Sequence, residues 1–182
     1  MKKLLTTMLV ALSLIGLTTA QSKMAAGAGL VVSLPMGSFG DAANTGFGGT
    51  AAFELNFAPQ ITGVGQIGYI SYGTGSSNTS FSSVPLLFGI KYYVVPGTPF
   101  YGIGQLGFNF FSTSVETPSI NVAGFSFGGG SYSASSTEFT FALGAGYEVP
   151  VSPKISLDFS GTFNIISSFT NLQLRAGGKV AI

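Results

Sequence analysis

Apolar side chains recur at every second position through most of this chain. That period excludes nearly every fold except those built from two-faced strands. Phe139, Phe141, Leu143, Ala145, Tyr147 and Val149 share one face of a single stretch, and Glu138, Thr140, Ala142, Gly144, Gly146 and Glu148 share the other. The next stretch repeats it, with Ile155, Leu157, Phe159, Phe163 and Ile165 against Ser156, Asp158, Ser160, Thr162 and Asn164. Successive side chains of a strand point to opposite faces, so each stretch has one wet and one dry side. Segments of about ten such residues between turn signals are the sequence pattern of a transmembrane β-barrel.

Composition points the same way. Only 7% of the residues are charged, whereas a soluble domain has about a quarter. In place of Lys and Glu stand 27 Gly, 17 Phe and 7 Tyr. After the first twenty residues, no continuous apolar run approaches the length of a spanning helix. A hydrophobic chain without hydrophobic helices is explained if its apolar residues cover the outside of a barrel. There is no Cys, which removes disulfides, thiolate chemistry and a lipidated N-terminal Cys.

The first twenty residues form a separate unit. Lys2 and Lys3 make a basic start, Leu4 to Leu17 is mostly apolar, and Thr18, Thr19 and Ala20 are small. This reads as a secretory signal peptide over 1–20, cleaved after Ala20. Its apolar run is shorter than the ~20 residues of a spanning helix. The barrel domain is then 21–182. Without Lys2 and Lys3 the chain keeps five basic against six acidic side chains, so no basic patch invites nucleic acid.

Eight strands are predicted: Gly27–Leu34, Phe47–Phe57, Ile61–Tyr72, Ser82–Val94, Phe100–Ser112, Glu138–Val149, Ile155–Ile165 and Asn171–Ile182. Their connections alternate. Phe57 to Gln60, Val95 to Pro99 and Pro150 to Lys154 are short and punctuated by Pro, whereas Pro35–Gly46, Gly73–Phe81 and Thr113–Thr137 are long and rich in Gly, Ser, Asn and Thr. Outer-membrane barrels have short periplasmic turns and longer extracellular loops. With the N-terminus on the periplasmic side, all three Pro-punctuated connections fall on that side, and Ser167–Thr170 is a shorter connection on the other. The fold class is therefore all-β, an eight-stranded antiparallel up-and-down transmembrane barrel. Closure leaves no open strand edge facing lipid. An eight-stranded lumen is only wide enough for side chains, so the small polar face points inward and the Phe-rich face outward.

The stretches Val84 to Tyr93, Phe100 to Gly104 and Leu143 to Glu148 resemble the small eight-stranded outer-membrane barrels, such as outer membrane protein X and the membrane domain of outer membrane protein A. The resemblance covers nearly all of 21–182 and implies residence in the bacterial outer membrane after export through the secretory pathway, with outer-membrane lipid as a partner. Members usually end in Phe or Trp, which the assembly machinery reads. This chain ends in Ile182 and has no Trp. Leu174, Ala176, Val180 and Ile182 keep the alternation to the end.

Two motifs suggest other chemistry. Gly63 to Gly68 and Gly102 to Gly107 both match the dinucleotide fingerprint G-x-G-x-x-G, which requires a helix after the glycines. Both continue as predicted strands, with Gln66 and Gln105 facing the lumen. Parity also turns Glu54, Lys91, Glu148, Asp158, Arg175 and Lys179 inward, most of them near the short-turn end. Glu148 and Asp158 could form an acid/base pair. The competing reading is a salt-bridge plug that fills the lumen and fixes register. A third reading is a gated pore in which the pairs rearrange.

Hydrolase chemistry has little to use. The chain has no His, which removes Ser–His activation and His-ligated metals. A Ser152–Lys154 dyad would sit in a turn at the membrane edge. No catalytic residue, metal site or cofactor is expected, and the chain reads as no enzyme. Specificity then rests with the loops, above all Thr113–Thr137, where Phe125, Phe127 and Tyr132 are candidate contacts for an unidentified surface ligand. The leading functional reading is a non-enzymatic outer-membrane barrel with a side-chain-plugged polar lumen, contributing to envelope structure or to surface interaction through its loops. The alternative is a narrow channel for small or apolar solutes. A soluble lipocalin-type barrel would crowd its lumen with Phe and expose a face almost without ions.

Overall fold

The structure is a computed structural model that describes residues 24–74, 79–95, 98–122, 125–167 and 169–182. The expected signal segment 1–20 lies outside the described residues. The elements in chain order are β1 (Met24–Met36), α1 (Ser38–Ala42), β2 (Gly46–Ala58), β3 (Ile61–Tyr72), β4 (Thr79–Tyr93), β5 (Phe100–Val122), β6 (Phe125–Pro150), β7 (Ile155–Ile166) and β8 (Phe169–Ala181). Each strand pairs antiparallel with the next, and β1 pairs with β8 from Ala25↔Ala181 to Met36↔Thr170. The sheet is therefore a closed eight-stranded barrel, and β3 has the predicted bounds.

Alternation sorts the two faces as burial demands. On the outside, Leu30 is 75% exposed, and Phe47, Phe88, Leu106, Leu143, Phe159 and Leu174 are exposed too. On the inside, Val31, Ser33, Thr50, Glu54, Lys91 and Asp158 are buried. Apolar surface this extensive is not left open to water by soluble monomers, whereas lipid suits it. Among the described residues no helix is long and apolar enough to cross a membrane; the crossing elements are strands.

Two segments depart from expectation. Most of Thr113–Thr137, predicted as a loop, is strand: β5 and β6 stay paired from Ser112↔Ser135 out to Val122↔Phe125. Gly130 to Thr137 are exposed at every position. With water on both faces, alternation no longer separates polar from apolar, so hydrophobic periodicity carries no signal there. The ladder also loses its flanking strands. β4 pairs with β5 only as far out as Thr79↔Val115, and β7 pairs with β6 only from Thr140↔Ile166 inward. Beyond those pairs the sheet is a two-stranded ribbon.

The second departure is α1, which lies within the predicted loop Pro35–Gly46. Gly37 precedes it with φ +60, a left-handed conformation that glycine adopts without a Cβ penalty. That turn folds α1 back so that Phe39 is buried.

Candidate functional site

Register brings all six inward charges predicted from parity into one cluster. Lys91 projects from β4 and is 2% exposed. Its Nζ lies 2.6 Å from Glu54 Oε1 on β2, 2.6 Å from Asp158 Oδ2 on β7 and 3.1 Å from Glu148 Oε1 on β6. An ammonium has three protons, and here three carboxylates surround it. From β8, Lys179 Nζ pairs with Glu54 Oε2 at 2.7 Å and Glu148 Oε1 at 2.6 Å. Also from β8, Arg175 Nη1 donates to Asp158 Oδ1 at 2.8 Å, and its Nε donates to Thr50 Oγ1 at 2.9 Å. Three cations meet three anions, so the cluster is neutral.

Two tyrosines complete it. Tyr101 Oη donates to Asp158, 3.0 Å from each carboxylate oxygen, and Tyr93 Oη donates to Glu148 Oε1 at 2.8 Å. The Lys91 ammonium also sits 4.3 Å from the centroid of the Tyr101 ring, within cation–π range. Sequence reasoning missed both tyrosines and Thr50. Parity could have found them, since Tyr101 shares the inner face with Gln105, and Tyr93 with Lys91.

Lys91 on β4 and the two cations on β8 stand on opposite sides of an eight-membered ring of strands. The ion pairs therefore cross the whole lumen. Buried ions are tolerated only when their charges and hydrogen bonds are matched. Here the matching also ties β2, β4, β6, β7 and β8 together, so a register slip in any of them would break pairs.

The same geometry decides what chemistry the cluster can perform. Acidic oxygens of Glu54, Glu148 and Asp158 converge within 4.8 Å, a spacing that would suit a metal ion. Lys91 already holds that central position. As an acid/base pair, Glu148 and Asp158 would need a free lone pair and a cleft, but both are committed to cations and phenols. Ser152 and Lys154 are exposed in the β6–β7 turn, where Ser152 Oγ accepts from Ile155 N at 3.1 Å. That is a turn-capping contact. Gly63 to Gly68 and Gly102 to Gly107 run inside β3 and β5, with no helix for a phosphate to meet.

Above the charges, Gln66, Gln105, Gln173 and Arg175 border an enclosed cavity of about 10 Å³, the size of one water. Further out comes an amide and hydroxyl layer. Asn109 Nδ2 donates to Thr140 Oγ1 at 2.8 Å, Asn164 Nδ2 donates to Asn171 Oδ1 at 2.7 Å, and Ser33 Oγ lies 3.2 Å from Tyr72 Oη.

The outermost layer corrects the expectation of a polar lumen. Phe39, Tyr72 and Phe111 pack there with Val31, Ile70 and Ile166, flanked by Phe81 and Phe169. Phe81 and Phe111 stack at 5.4 Å, and Phe39 lies 4.4 Å from Phe169, centroid to centroid. Rings supplied by one short helix and several strand ends pack together at the outer end and shield one another from water. Of the candidate loop contacts, Tyr132 is 74% exposed. Phe125 and Phe127 fall on β6, but their side chains lie outside the described residues.

A closed up-and-down barrel of eight strands, dressed for lipid outside and crossed by ion pairs inside, defines the class. No family model matches the chain, and no curated protein matches it in sequence. Solved structures do match in fold. A major outer membrane protein from Thermus thermophilus aligns with TM-score 0.67 and 16% identity, covering 90% of this chain and 100% of its own. The attachment invasion locus protein Ail of Yersinia pestis, in complex with the heparin analogue sucrose octasulfate, aligns with TM-score 0.63 and 14% identity over 90% of this chain and 100% of its own. Neisserial surface protein A aligns with TM-score 0.53 and 16% identity over 90% and 98%. The chain has the fold of the small eight-stranded outer-membrane barrels.

Proposed function

We propose that this protein is a non-enzymatic barrel of the bacterial outer membrane, exported by the leader in residues 1–20. Its lumen serves as a structural plug, and its contact with the surroundings is made by the β5–β6 ribbon. One observation carries the reading: the ion-paired cluster spans the lumen while the longest hairpin stands free of its neighbours. The ribbon offers unpaired backbone N–H and C=O groups along both edges. Strands with open edges recruit further strands, and extended peptides bind sheet edges in this way. The surface ligand is accordingly an extended polypeptide segment.

Charge argues against a polyanion. Ail is solved with a sulfated sugar analogue, but no Lys or Arg of this chain lies outward of Arg175 among the described residues, whereas Asp41, Glu116 and Glu138 do. Nothing there would neutralise sulfate or phosphate.

The test is single-channel conductance of the folded protein in a planar bilayer, alongside Lys91 and Arg175 variants. Silence of the wild-type protein supports the plug. Steady conductance that changes with those substitutions would replace it with the narrow-channel reading.

A further inference from the structure

The charge cluster does not account for the aromatic cap at the outer end. Phe39 of α1 makes edge-to-face contacts with Tyr72 at 5.3 Å and Phe81 at 5.7 Å. Beside this contact, between α1 and the outer ends of β4, β5 and β8, lies a cavity of about 480 Å³. Its walls include the rings of Phe39, Phe81 and Phe169 and the methyl of Ala43, and Thr79 and Thr113 also border it. Among the described residues no charged side chain lines it.

We propose that this cavity binds one small, uncharged aromatic molecule, such as a phenol. Binding sites are concave, mostly apolar and furnished with a few polar groups, and this one has that composition. Its volume lies in the range of small-molecule sites and has room for a ring. Aromatic rings prefer edge-to-face or offset partners, and three rings already wall the space for another. The hydroxyls of Thr79 and Thr113 suit a single polar substituent. Anions find no cation in the lining, and cations find no carboxylate. Beneath the cap lie the amide and hydroxyl layer and then the ion pairs. This inference goes beyond the scaffold reading and stands without it, because a conducting barrel and a silent one would both keep this cavity.

Saturation-transfer NMR with p-cresol tests it, using the folded protein in lipid nanodiscs and empty nanodiscs of the same lipid as reference. Saturable transfer above the reference is expected. Ala43→Phe puts a ring into the cavity and should weaken binding about tenfold or more, a loss of at least 1.4 kcal/mol. Thr113→Phe fills the same space from β5 and serves if the first variant does not fold. Leu30→Ala, on the lipid face, should leave binding unchanged. Transfer no greater than in empty nanodiscs would overturn the proposal, as would equal affinity in the filled variants. Equal affinity for p-toluate would overturn its selectivity for an uncharged ring.

Discussion

Tyr101 and Gly146 face each other across the β5–β6 ladder, and the tyrosine ring lies where a Cβ on residue 146 would stand. Because the glycine has no side chain, the ring can fold flat along the wall. From there its hydroxyl reaches Asp158 and its face meets the Lys91 ammonium. A missing side chain on one strand thus sets the position of a donor in the ion cluster.

Gly146→Ala should displace that ring, since the new methyl would collide with Tyr101 Cζ and Oη. Overpacking of this kind costs about 1–3 kcal/mol. Urea unfolding in lipid vesicles should show a lower midpoint with little change in slope. Tyr101→Phe keeps the ring but removes the hydrogen bond to a buried carboxylate, at about 1.5–3 kcal/mol. An unchanged midpoint in both variants would mean that the ring is not held by this contact.

Lys91 should matter more than Arg175. Lys91→Met leaves Glu54, Glu148 and Asp158 crowded together without their shared cation, and breaking a buried pair costs about 3–5 kcal/mol. Arg175→Ala still leaves Asp158 paired with Lys91, so it should destabilise the barrel less while leaving the fold intact. The two unfolding midpoints give the order directly. A reversed order would place the centre of the network at Arg175.

Lipid contact gives a test that depends on height along β6. Leu143 faces outward within the eight-stranded part of the wall, where Leu143→Arg should cost about 2–4 kcal/mol if it lies near mid-membrane. Tyr132 stands exposed at the base of the ribbon, opposite Val115, so Tyr132→Arg should stay within about 0.5 kcal/mol. Comparable losses at both sites would show that the ribbon, too, contacts lipid.

Hydrogen exchange should divide β6 at the same level. Amides from Gly130 to Thr137 lie where β6 pairs with β5 but no longer with β7, so this stretch is an open sheet edge. Those from Thr140 to Glu148 sit in a closed sheet with partners on both sides. Mass spectrometry of the folded protein should find fast exchange in the first group and protection in the second.

Period-two alternation made the barrel legible, because lipid outside and a narrow lumen inside impose opposite demands on successive residues. It assigned Leu143 and Phe159 to lipid and turned Lys91, Asp158 and Arg175 inward. The same rule was silent over Gly130 to Thr137, where both faces meet water. It was equally silent over Ser38 to Ala42, which is not a strand.

The sequence by itself determined the number of strands through the wall, the side each residue faces and the end at which the Pro-punctuated turns gather. Those are local properties, set by the alternating geometry of the backbone and by turn residues. Only the tertiary structure decided that Lys91 sits among three carboxylates, that Tyr101 lies over Gly146 and that Phe39 enters the mouth. Such contacts depend on the stagger between strands and on closure of β1 against β8, which join residues far apart in the chain. Parity states which way a side chain points, but register determines what it meets.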